Sequence, residues 1–138
     1  MIGFAISYDP EAAIAYAKQW YSSFNPAYNN YGYRHTDDTN FVSQCLIAGG
    51  QDFTGCETDD KGSVTHVLNL MSCLTLKGWK SSDTFPPGFK AGYPIIFRNH
   101  PCIATSVMLK SVLISCHNDA CFNISMESVK KPPTYYYL

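Results

Sequence analysis

No stretch of the 138-residue chain reaches the eighteen or so consecutive apolar residues that a membrane-spanning helix needs, so no helical span is expected. The opening residues 1–7 lack a basic start and a long apolar core, so no secretory signal is read there, and localisation stays open between secreted and cytoplasmic. An excess of one charge is also missing. Ten Lys and Arg stand against eleven Asp and Glu, scattered along the chain, which leaves nucleic acid and anionic lipid without an electrostatic footprint. There is no Gly-rich phosphate loop between a strand and a helix, which removes dinucleotide and P-loop chemistry. The six cysteines, at 45, 56, 73, 102, 116 and 121, contain no Cys-x-x-Cys pair and have no His-x-x-x-His companion, so the linear spacing gives no metal site and no cofactor.

What is present is enough for one domain spanning 1–138. Hydrophobic residues make up 46% of the chain, aromatic residues 14% and charged residues 15%. A chain of this length buries roughly two-thirds of the surface it exposes unfolded, so it can build a core without staples. The even cysteine count fits disulfides and buried thiols equally, and both remain open. Asn123-Ile124-Ser125 matches a glycosylation acceptor, a triplet that also arises by chance.

Asp9-Pro10-Glu11 is a helix opening: a capping carboxylate, a proline where no amide hydrogen is needed, and an acid at the positive helix end. A first helix is expected over 12–21, with Ile14, Ala17, Tyr21 and Phe24 as its apolar stripe and Asn25-Pro26 as its stop. Residues 25–34 form an aromatic loop that could anchor itself or rim a cleft. A second helix of about ten residues follows Asp37-Asp38-Thr39-Asn40, has a broad apolar face of Phe41, Cys45 and Ala48 with Val42 and Leu46 as expected for a helix sunk in the core, and ends at Gly49-Gly50. Ser63 is a cap for a third helix reaching Leu76 before Gly78, with His66 on its solvent side. After a connector at 81–88, strands are expected at 95–97, 103–109, 111–116 and 122–126, with turns at Arg98-Asn99, Lys110 and Asn118-Asp119. Helices first and strands afterwards indicate an α+β fold, the helices packed on one face of an antiparallel meander.

The run 37–50, Asp-Asp-Thr-Asn-Phe-Val-Ser-Gln-Cys-Leu-Ile-Ala-Gly-Gly, resembles the signature of an amidase domain family within the NlpC/P60-type, papain-like cysteine peptidases, where it reads Asp-Cys-(Thr/Ala)-Asn-Phe-Val-Ser-Gln-x-Leu-x-Ala-Gly-Gly. The leading helix with Phe24-Asn25-Pro26-Ala27-Tyr28, the Lys90-Ala91-Gly92-Tyr93-Pro94-Ile95-Ile96-Phe97 strand, His100, and Ser115-Cys116-His117-Asn118-Asp119 are similar to further landmarks of that family, in order. The resemblance implies a papain-like fold, a thiol nucleophile at the start of the second helix, His100 as its base and His117 as the residue orienting that base. A helix N-terminus lowers a thiol's pKa and offers amides to an oxyanion.

Asp38 stands in the cysteine's place. A carboxylate there is stabilised by the helix end and is a poor nucleophile toward an amide; it also fits a plain N-cap. Cys45 lies about 10 Å farther along the axis, at about 1.5 Å per residue, and is expected in the core, while Thr39 and Ser43 face elsewhere. Tyr93 replaces the family's usual Asp, which suggests relaxed constraints beside the cleft, and His35 is placed near the acids. Tyr31, Tyr33, Asp37, Asn40 and Asn118 complete the expected cleft, Asn40 also tying the loop to the helix start. The function this implies is an inactive amidase or peptidase relative that binds a peptide, a glycopeptide or a partner protein. The alternative is an active amide hydrolase of the cell-wall peptide type, using Asp38 and His100 or a nucleophile not recognised.

Overall fold

The computed structural model describes residues 7–32, 37–109, 111–117 and 120–138. Three α-helices come first: α1 (Pro10–Trp20), α2 (Asp38–Ala48) and α3 (Val67–Leu76). Six strands follow: β1 (Lys80–Ser82), β2 (Pro94–Phe97), β3 (His100–Met108), β4 (Ser111–Cys116), β5 (Cys121–Ser125) and β6 (Pro133–Tyr137). They form one sheet in the order β1-β6-β2-β3-β4-β5, and every neighbouring pair is antiparallel. The chain is α+β, as its order of patterns predicts.

α1 begins as its sequence dictates. Asp9 accepts from the backbone amides of Glu11 and Ala12 at 3.1 and 3.2 Å, and Pro10 occupies the first turn. Its buried face is Ala13 and Ala17, small enough for α2 to pack closely. The start of α1 is pressed against the sheet: Tyr8 donates to the Gly92 carbonyl at 2.6 Å. A Cβ on Gly92, whose φ is +93°, would lie 2.4 Å from the Pro10 side chain and 2.5 Å from its carbonyl oxygen, so only glycine fits there.

α2 is sunk between α1 and the sheet, with every residue from Thr39 to Leu46 buried. A helix covered on all sides must satisfy its polar side chains internally, and the buried Asn40, Ser43 and Gln44 all take hydrogen-bond partners within the molecule. α3 starts three residues later than a Ser63 cap predicts, with His66 in the cap position and exposed. Ser63 is drawn inward instead: its hydroxyl donates to Asn40 Oδ1 at 2.5 Å, and this buried bond outcompetes a capping role.

The predicted meander corresponds to β2 through β5. Two strands were not anticipated from sequence. β6 lies between β1 and β2, with Ile95 opposite Tyr135 and Ser81 opposite Tyr136. Pro133 is tolerated as the first residue of that strand, and Tyr135 and Tyr136 are buried. β1 falls in a segment whose serines read as connector; pairing with β6 overrides that local preference. Phe41, Leu46, Leu70, Leu74, Ile95, Ile96, Ile103 and Ile114 fill the core. Cys56 and Cys73 form a disulfide that ties the segment after α2 to α3, and Cys45 is a buried thiol.

Candidate functional site

α2 presents two consecutive carboxylates to the sheet at its N-terminal end. Asp37 occupies the cap position but makes no side-chain cap bond, and Asp38 is the first helical residue rather than the cap. Each carboxylate has its own imidazole. Asp38 Oδ2 accepts from His100 Nδ1 at 2.6 Å, His100 being the first residue of β3. Asp38 Oδ1 accepts from the amide of Thr39 at 3.0 Å, so the helix start supplies a further donor. Both side chains remain within reach of solvent, 13% exposed for Asp38 and 18% for His100. The hydrogen bond to Asp38 raises the pKa of His100 from 6.5 to about 10; a hydrogen bond with Cys116 adds to the rise and burial opposes it.

The second pair is buried. Asp37 contacts His117 Nδ1 through Oδ2, and its Oδ1 accepts from the Tyr31 amide and from Asn40 Nδ2, both at 3.0 Å. His117 Nε2 donates to the Ser23 carbonyl at 2.7 Å, and its ring stacks on Phe41 with centroids 4.6 Å apart. This corrects the role expected for His117. It is committed to Asp37 and Ser23, holding the loop after α1 against α2 and β4, and does not orient His100.

Other expected cleft residues are also taken up by the structure. Asn40 is fully buried, donates to the Asn29 carbonyl at 2.8 Å and accepts from Ser63, so it ties the loop and is closed to a ligand. Tyr31 donates from its hydroxyl to Asp59 Oδ2 at 2.9 Å. Tyr93 is buried among Tyr8, Trp79 and Phe89, which places it in the core rather than in the cleft. Tyr33, His35 and Asn118 lie outside the described residues. A surface depression of about 330 Å³, lined in part by Tyr28, Ile47, Phe53 and Lys61, takes in neither Asp38 nor His100.

The linear reading dismissed a metal group, and the sheet assembles one. His100, Cys102 and Cys116 bring one potential ligand atom each to within 4.8 Å of one another. Met108 pairs with Ser111 at the turn between β3 and β4, and a register shift between Ala104 and Ser106 then sets Ile103 opposite Ser115 and so Cys102 opposite Cys116; counting back from a turn at Lys110 alone gives a different register and hides the pairing.

The comparisons bear on the helical half. A family model described as "Putative amidase domain" matches residues 7–87, more than half of the chain. That span includes Asp37 and Asp38, and His100 and His117 lie beyond it. Among curated proteins, "Uncharacterized protein YhbB" of Bacillus subtilis (strain 168) is 43% identical over 53 residues, which is 38% of this chain and 16% of that protein. The chain therefore spans only a small part of the length of this relative. No solved structure matches. The long match over 7–87, together with α1, α2 and the acidic start of α2 that it contains, makes the chain a member of this amidase domain family.

Proposed function

We propose that the chain is an amidase-like domain of papain-like, NlpC/P60-type design in which Asp38 occupies the nucleophile's position, and that it binds a peptide or glycopeptide without cleaving it. The observation that carries this reading is the 2.6 Å contact between Asp38, at the first turn of a core helix, and His100, at the head of the facing strand. A thiol at that place would share the ring as its base. A carboxylate there is a weak nucleophile toward an amide, and it holds the imidazole in an acid-base pair rather than leaving it for substrate. The partly exposed pair can meet the amine or guanidinium of a ligand with the carboxylate and a carbonyl with the ring.

The test is calorimetric titration of the wild-type chain with soluble peptidoglycan-derived peptides and glycopeptides, with product analysis of the same mixtures. The expected result is saturable binding, weakened in Asp38→Ala, with the ligand recovered intact. Cleavage that disappears in His100→Ala would make the chain an active hydrolase, and absence of binding across both ligand classes would remove the proposed role.

A further inference from the structure

The geometry points to a site for one zinc-type divalent cation at the base of the Asp38–His100 pair, with Cys102, Cys116 and His100 as its protein ligands. The site goes beyond the proposed peptide binding and stands or falls independently of it.

The placement follows from strand geometry. His100 and Cys102 are two residues apart on β3, so they share a face of the sheet. Ile103 pairs with Ser115, which sets Cys102 directly opposite Cys116 on β4. The two sulfurs are 2.8 Å apart, and the ligand atoms of Cys102, Cys116 and His100 all lie within 4.8 Å of one another. Cys102 is 0% exposed and Cys116 2%, so the thiols lie beneath the partly open imidazole, which marks the route by which a cation enters. Two thiolates and an imidazole are a donor set matched to zinc, with a fourth position left over in a tetrahedral site.

Asp38 gives the second, independent observation. A histidine that binds zinc commonly donates its other ring N–H to a carboxylate, which fixes the tautomer and turns the free nitrogen toward the metal. Here Nδ1 is bonded to Asp38 at 2.6 Å, so Nε2 is the nitrogen left for the cation, on a ring that already contacts Cys116. The residue that ends thiol chemistry at the helix start is thus the carboxylate a metal-bound His100 requires. On binding, each thiol and His100 Nε2 release a proton to solvent, and the two sulfurs and the ring nitrogen bind the cation through lone pairs; no electron is transferred. Sulfurs held about 2.3 Å from one tetrahedral zinc are about 3.8 Å apart, so the two thiols separate by about 1 Å. Cys121 lies opposite Cys116 on β5 but outside the group of three, and it is assigned no metal contact.

The experiment is anaerobic titration of the full wild-type chain with Co²⁺, followed by displacement with Zn²⁺. One equivalent should produce a thiolate-to-cobalt charge-transfer band and the visible bands of tetrahedral Co²⁺, which Zn²⁺ abolishes. Zinc should protect Cys102 and Cys116 from alkylation, mapped by mass spectrometry on the unmutated chain, so the result does not depend on a variant that folds poorly. Cys102→Ser and Cys116→Ser should lose the charge-transfer band or half its intensity, Cys121→Ser should keep it, and Asp38→Asn should weaken affinity by about 10- to 100-fold. A wild-type chain that gives no tetrahedral cobalt spectrum overturns the site, as does a Cys102–Cys116 disulfide that persists in the anaerobic protein. Loss of the spectrum in Cys121→Ser would overturn the ligand assignment.

Discussion

Two adjacent aspartates in one helical turn serve different ends because their side chains meet different depths of the molecule. Asp37 is buried with His117, two amide donors on its carboxylate and a carbonyl acceptor on the ring, whereas Asp38 shares His100 at a place that solvent reaches. Removing one member of a buried pair leaves the other charge without compensation, which costs about 3–5 kcal/mol. Asp37→Ala is therefore expected to lower stability by that amount in urea denaturation, with Asp38→Ala well below it; equal losses would show that depth does not separate the two. The sequence places both acids at the start of a core helix. It does not say which imidazole each one takes, because that depends on β3 and β4 arriving from more than sixty residues away.

At the scale of elements, the loop before α3 shows how a short segment is held by one carboxylate. Asp59 accepts from the amides of Lys61 and Ser63, both at 3.0 Å, and from Tyr31 and Asn29. Burial alone would raise its pKa, but these hydrogen bonds outweigh it and hold the carboxyl below its ordinary 3.8. A depressed folded-state pKa contributes stability that is present above 3.8 and lost as pH falls through the folded value. The difference in stability between wild type and Asp59→Asn should accordingly be constant near neutral pH and shrink below pH 3.8, read from urea midpoints across an acid series. The helices were legible because their signals are local: the Asp9-Pro10 opening of α1 and the apolar run of α2 need no distant partner. β1 and β6 were not, because the serines of one and the prolines before the other favour loops until each finds its neighbour in the sheet. The late start of α3 has the same origin, since Ser63 bonds to Asn40 twenty-three residues away.

At the scale of the whole molecule, the core holds the fold and the Cys56–Cys73 disulfide adds a covalent tie across seventeen residues of sequence. Closing a loop of that size restricts the unfolded chain by about 3 kcal/mol. Cys56→Ser/Cys73→Ser should lose about that much stability while keeping the wild-type circular dichroism spectrum; loss of the spectrum would mean the core cannot hold the helices alone. The thiol row on β3 and β4 is invisible in the linear sequence because its register depends on a shift between Ala104 and Ser106 that no local signal announces. The central proposal is that an amidase-like cleft is kept here with Asp38 at the nucleophile's position. The most direct test is Asp38→Cys, assayed for labelling by iodoacetamide near neutral pH and for cleavage of peptidoglycan-derived peptides. The account predicts a residue 38 thiol that labels faster than free cysteine and cleavage that depends on His100; a residue 38 thiol no more reactive than free cysteine, with no cleavage in a folded variant, would contradict it.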